Sequence, residues 1–110
     1  MLDKIELSIA NSFTTIPGAR YYSDGKYSGE EFREEVFIPA YNTAKEQNKI
    51  LLVDLDGCAG YASSFLEEAF GGLARIYGSE DVLKNLEIRY NDEPDKIEKI
   101  HNYITNAKKA

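Results

Sequence analysis

The stretch Lys49-Ile50-Leu51-Leu52-Val53-Asp54-Leu55-Asp56-Gly57 decides the fold. Ile50 to Val53 is a continuous apolar run, the pattern of a central strand covered on both faces, and Asp54 and Asp56 follow at its C-terminal end. A small-residue loop, Gly57-Cys58-Ala59-Gly60-Tyr61, leads into Ser63-Ser64-Phe65-Leu66-Glu67-Glu68-Ala69-Phe70-Gly71-Gly72-Leu73. There Phe65, Leu66, Ala69, Phe70, Leu73, Ala74 and Ile76 repeat at helical spacing. Ser64 and Glu67 have the spacing of a capping box, and Gly78 is a natural helix stop. A buried strand that turns through glycines into an amphipathic helix is the core of an α/β unit.

Outward toward the N-terminus, Phe32, Val36, Phe37, Ala40, Tyr41 and Ala44 mark a preceding helix that ends near Gln47-Asn48. Ser28 and Glu31 form its capping box, Tyr27 and Phe32 its hydrophobic staple, and Pro39 should kink or split it. The segment from Phe13 to Tyr27 reads as irregular or hairpin, with Arg20-Tyr21-Tyr22 a short strand and Asp24-Gly25 a turn. Ile5, Leu7 and Ile9 alternate with polar residues, as in a half-exposed strand. Toward the C-terminus come a helical turn at Ser79 to Lys84 and an alternating strand, Leu86 to Tyr90. A last helix follows, capped by Asp92 or Glu93, with Pro94 in its first turn, Ile97, Ile100, Tyr103 and Ile104 inward, and Lys108 and Lys109 at its end. The order β-β-α-β-α-β-α predicts one α/β domain over residues 1–110, with a mixed sheet of four or five strands packed by three main helices.

Composition narrows the function. The 110 residues carry 13 Lys+Arg against 19 Asp+Glu, a formal charge of −6. That argues against a nucleic-acid partner, whose phosphates need clustered cations. A single Cys and a single His leave no internal disulfide and too few ligands for a thiolate–imidazole zinc site. Hydrophobic residues make up 43%, enough for a core, yet no apolar run approaches the roughly 20 residues of a membrane helix. Met1-Leu2-Asp3-Lys4 carries no apolar signal segment, so the expectation is a cytoplasmic protein without membrane, metal or cofactor.

Four segments could carry chemistry. Asp54 and Asp56 have the i, i+2 spacing of haloacid-dehalogenase-type phosphatases, in which one carboxylate attacks phosphorus and the other protonates the leaving group beside Mg²⁺. Only 54 residues follow Asp56, and both carboxylates can equally satisfy the strand end. Ser63 and Ser64 can cap the helix, or hold an anion or a phosphate at its N-terminus, with Arg20 reaching toward it. Gly71 and Gly72 each cost about 1 kcal/mol in a helix interior, so a neighbouring element or a partner helix must need the space. Tyr21, Tyr22 and Tyr27 crowd one loop, as at an interface or as a cap on the core. Cys58 reads as a small core residue rather than a nucleophile paired with His101.

Ser28-Gly29-Glu30-Glu31-Phe32-Arg33, Val53-Asp54-Leu55-Asp56-Gly57 and Ser63 to Leu73 together resemble the bacterial STAS-like domain family of unknown function, DUF4325. That family looks like the STAS domains of anti-sigma factor antagonists. Those small α/β proteins bind a serine-kinase anti-sigma factor and are switched by phosphorylation of a Ser where a helix follows a central strand. The resemblance implies that Ser63 or Ser64 is the switch residue and that the partner is an ATP-binding, kinase-like regulator. Where the antagonists commonly carry Asp-Ser-Ser-Gly, this chain has Ala62 before the pair and Phe65 after it. The expectation is a regulatory interaction module, not an enzyme, with Tyr61, Phe65, Glu67, Glu68, Gly71 and Gly72 as the partner surface. The alternatives are a small-anion or nucleotide sensor at Ser63, Ser64 and Arg20, and a Mg²⁺-dependent phosphatase at Asp54 and Asp56.

Overall fold

The computed structural model describes residues 3–108. Its sheet has three strands, β1 (Lys4–Ser8), β2 (Ile50–Asp54) and β3 (Leu86–Arg89), in the order β1-β2-β3. Both pairings are parallel, with Leu7 opposite Val53 and Val53 opposite Ile88. The expected mixed sheet of four or five strands is therefore corrected to three parallel ones. Arg20-Tyr21-Tyr22 forms no strand; a 3-10 turn, Tyr22–Asp24, closes there because the Asp24 carboxylate accepts the Tyr21 N–H at 2.9 Å.

The helices are α1 (Ile9–Ser12), α2 (29–46), α3 (63–77), α4 (Ser79–Asn85) and α5 (Lys96–Thr105). This is more than the three main helices expected. α5 starts later than predicted, with Asp95 rather than Asp92 or Glu93 at its N-cap, and it stops before Lys108. Lys109 lies outside the described residues, as do Met1 and Leu2. None of these helices is long and apolar enough to cross a membrane.

The two long helices each contain one π-helical turn, Arg33–Phe37 in α2 and Glu67–Gly71 in α3. In α2 the cause is legible: Pro39 has no N–H and its ring crowds the carbonyl four residues back. The turn just before it widens, with the Ile38 N–H reaching the Arg33 carbonyl, and the helix continues without a break. Ser28 caps α2 as expected, its hydroxyl accepting the Glu31 N–H at 3.0 Å. Glu31 reciprocates one residue further out, accepting the Tyr27 N–H at 3.0 Å. The staple runs through Phe13, whose ring lies 5.6 Å from Tyr27 and 5.4 Å from Phe32.

The core lies between the sheet and the helices. Ile5, Leu7, Leu51, Val53 and Ile88 meet a chain of rings, with Phe32 5.1 Å from Phe37, Phe37 5.1 Å from Phe70, and Phe32 6.0 Å from Phe65. Leu52, only 5% exposed, stands outside this core. In register it lies between Glu6 and Glu87. Lys4 bonds Glu87 at 2.8 Å and Arg89 bonds Glu6 at 2.7 Å, so two ion pairs span β2 from one edge strand to the other. The aliphatic stems of Lys and Arg can cover apolar surface while their charged ends stay wet. The second cover of the central strand is thus charged side chains in place of a helix layer.

α2 and α3 approach most closely at Gly29. A Cβ there would lie 2.5 Å from the Phe65 carbonyl oxygen and 3.1 Å from its Cα. Both are backbone atoms on a packed helix and cannot swing aside. Gly29→Ala should therefore destabilise the protein by about 2 kcal/mol, in the range of overpacked cores, read as a lowered urea midpoint at unchanged slope.

Candidate functional site

Parallel strands bring their C-terminal ends to one edge, where open α/β sheets place their sites. Asp54 and Asp56 sit there, and both are committed to the backbone. Asp54 accepts the Asp56 N–H at 2.9 Å and a bond from Arg89 at 3.3 Å. Asp56 accepts the Asp92 N–H at 2.8 Å, and Asp92 returns a bond by accepting the Gly57 N–H at 3.0 Å. These carboxylates stitch the loop after β2 to the loop after β3. Among the described residues no three carboxylate, imidazole or thiol groups converge as metal ligands would.

Cys58 and Tyr61 close the same loop from within. The Tyr61 hydroxyl donates to the Leu55 carbonyl at 2.8 Å and lies 3.0 Å from Cys58 Sγ, while the thiol donates to the Thr14 carbonyl at 3.4 Å. Burial pushes the Cys58 thiol up, away from the thiolate that a nucleophile needs. His101 is exposed on α5.

α3 begins two residues earlier than a Ser64 cap requires. Ala62, extended at φ −67°, ψ 143°, holds the N-cap position, and Ser63 and Ser64 are the first two residues of the helix. Ser63 is exposed and Ser64 half-buried, and among the described residues neither hydroxyl is hydrogen-bonded. The Ser64–Glu67 capping box does not form, because Ser64 lies inside the helix and the Glu67 carboxylate is held elsewhere.

It is held by arginines. Arg20, Arg33 and Arg75 come from three separate places: the loop before α2, the π-turn of α2, and α3 itself. Arg20 bonds Glu67 at 2.5 Å and Glu68 at 3.2 Å. Arg33 bonds the Glu68 carboxylate at 2.5 Å and the Glu68 carbonyl at 3.0 Å. Arg75 bonds Glu67 at 2.8 Å. Glu68 is only 8% exposed, so its charge depends on these partners. The bonds from Arg75 and then Arg20 hold the Glu67 carboxyl below its ordinary value, while the bond to Glu67 raises the Arg20 guanidinium. Sequence reasoning placed Arg20 near the Ser63/Ser64 helix start; the structure bonds it to the carboxylates in the next turn. Arg33 and Arg75 were missed. The signal was Glu68 itself, which lies three residues after Phe65 and four before Gly72, on a face otherwise small or apolar.

The same cluster explains the paired glycines. A Cβ on Gly72 would lie 2.6 Å from an Arg33 terminal nitrogen and 2.9 Å from its Cδ. A Cβ on Gly71 would lie 2.6 Å from a Glu67 carboxylate oxygen. The space goes to this chain's own ion pairs. Phe65, Gly71, Gly72 and Glu68 are buried, which removes them from the partner surface expected of them. Tyr61 and Glu67 are half-buried. What faces outward is Ser63 and, on the loop before α2, Ile16 at 62% exposure, Tyr21 at 47% and Tyr22 at 45%. The Thr15 carbonyl accepts the Ala59 N–H at 2.9 Å, so this loop borders the loop that enters α3.

A double-mutant cycle tests the glycine assignment. Gly72→Ala should lower stability when Arg33 is present, because it displaces the guanidinium from Glu68. In an Arg33→Ala background the same change should gain up to about 1 kcal/mol of helix propensity. A Gly72→Ala effect of the same sign and size in both backgrounds counts against the assignment.

Searches for relatives among curated proteins and among solved structures returned no match. A family match does cover residues 28–96, from the Ser28 cap through α2, β2, the Ser63–Ser64 helix head, the arginine–glutamate cluster and β3. It spans well over half of the chain and takes in both π-turns and all of the cluster except Arg20. The chain belongs to the STAS-like domain family of unknown function, DUF4325.

Proposed function

We propose that this protein is a bacterial, cytoplasmic regulatory module that acts by binding another protein and is switched by phosphorylation of Ser63 or Ser64. One observation carries the reading. Two hydroxyls without a hydrogen-bond partner among the described residues stand in the first turn of the helix that follows the central strand, at the C-terminal edge of a parallel sheet. Beside that edge runs a loop with exposed Ile16, Tyr21 and Tyr22, the residue types that anchor protein interfaces. The STAS-like family supports the interaction role, and its likeness to anti-sigma factor antagonists supports an ATP-binding, kinase-like partner. The carboxylates that suggested phosphatase chemistry are committed to backbone N–H groups, which favours a role in being bound and modified over turnover.

The test combines modification with binding. Incubated with ATP and extract of its bacterial host, the protein should take up phosphate that peptide mapping places at Ser63 or Ser64, and the Ser63→Ala/Ser64→Ala variant should take up none. Ser63→Asp or Ser64→Asp should weaken the purified partner by about tenfold, the equivalent of about 1.4 kcal/mol. Phosphate mapped elsewhere, or wild-type affinity in both Asp variants, contradicts the switch.

A further inference from the structure

The helix head and the arginine cluster are neighbours on one helix. Ser64 precedes Glu67 by three residues and Glu68 by four, spacings that bring Cβ atoms within about 5–6 Å. Arg20 bonds both of those carboxylates, yet it comes from a loop and keeps 29% of its side chain exposed. Arg33 is more deeply placed, 12% exposed, and is tied to the Glu68 carbonyl as well as its carboxylate. The charged cluster one turn beyond Ser64 comprises Glu67, Glu68 and Arg75 from α3, Arg33 and its partner Glu34 from α2, and Arg20 from the loop.

We infer that Arg20 is the reader of a phosphate on Ser64: once Ser64 is phosphorylated, the Arg20 guanidinium passes from Glu67 and Glu68 to the phosphate and re-sets the loop bearing Tyr21 and Tyr22. The inference rests on the phosphorylation reading above. In the covalent step the Ser64 Oγ–P bond forms as the bond from the ATP γ-phosphorus to its bridging oxygen breaks. ADP leaves, and the hydroxyl proton goes to a base of the kinase partner.

Two features favour the exchange. A phosphoserine carries about −1.5 to −2 charges and three acceptor oxygens, against one charge on each carboxylate. When Arg20 leaves, neither carboxylate is orphaned, because Arg75 still holds Glu67 at 2.8 Å and Arg33 still holds Glu68 at 2.5 Å. With Arg20 moved between them, the phosphate is also screened from the two glutamates. The movement reaches the outer surface directly, since Tyr21 follows Arg20 in the chain and the Arg20 carbonyl accepts the Glu30 N–H at 2.9 Å.

The test is ³¹P NMR on the full chain carrying phosphoserine installed at position 64, in wild type, Arg20→Gln and Arg20→Lys. The second phosphate ionisation, near pH 6 when unpaired, should have its midpoint at lower pH in wild type than in Arg20→Gln, by about half a unit or more. Arg20→Lys, which keeps the charge, should retain part of the lowering. Amide resonances of residues 19–22 should shift on phosphorylation in wild type and stay put in Arg20→Gln. Equal midpoints in wild type and both variants overturn the inference. Partner binding separates the two claims: binding lost on phosphorylation with equal midpoints overturns the exchange and leaves the switch, whereas a lowered midpoint with unchanged binding supports the exchange and overturns the switch.

Discussion

A carboxylate sealed inside a small domain needs cations, and Glu68 sets that requirement here. At 8% exposure its charge would cost several kcal/mol without partners. Arg33 answers from α2 and Arg20 from the preceding loop, each with a charge-assisted bond. The rest of the site follows from making room for these side chains. Gly71 and Gly72 lack Cβ atoms because Glu67 and Arg33 fill that volume. The π-turn at Glu67–Gly71 presents two consecutive glutamates toward the arginines, and the Glu68 carbonyl takes a bond from Arg33. Gly29 lets α2 close against Phe65, which brings Arg33 within reach.

The cluster also connects two parts of the fold that the sheet alone would leave independent. The loop before α2 is held by backbone bonds, from Gly18 to Tyr27, from Ala59 to Thr15 and from Gly29 and Glu30 to Ala19 and Arg20, and by Tyr22, whose N–H and hydroxyl donate to Glu30 and Glu35 of α2. Its side-chain tie to α3 is the Arg20 guanidinium. Position of the exposed tyrosines is therefore coupled to the charge state of the first turns of α3. A phosphate at the helix head, as proposed, would act on that coupling by competing for the same guanidinium.

Much of the fold was legible locally. The apolar run of β2, the Ser28–Glu31 cap, the helix stop at Gly78 and the disturbance at Pro39 each depend on residues near in sequence, and each is present. The failures share one cause, dependence on distant partners. Asp54 and Asp56 left phosphatase chemistry open beside a strand-end role, because nothing local shows that Asp56 accepts the Asp92 N–H. The apolar run of β2 shows a strand covered on both faces but not what covers the second, because nothing local shows Lys4 meeting Glu87 across it. Gly71-Gly72 left internal packing and a partner helix both open, because Arg33, which fills the space, lies almost forty residues earlier. Ser64 has the spacing of a cap to Glu67, but α3 starts at Ser63 and Glu67 is drawn off by Arg75 and Arg20. Glu68, a charge on an apolar helical face, was the available sign that cations are buried nearby, yet by sequence alone it reads as partner surface.

The central claim is that the glutamate–arginine cluster fixes the loop before α2 against α3. Native-state amide hydrogen exchange in wild type and Glu68→Gln measures this most directly. The Gly29 and Glu30 amides, bonded to the Ala19 and Arg20 carbonyls, report the loop, and the Leu51 to Val53 amides report the sheet. The account predicts faster exchange at Gly29 and Glu30 in Glu68→Gln, beyond any change in the strand. Unchanged protection at those two amides, or an equal loss across loop and strand, contradicts it.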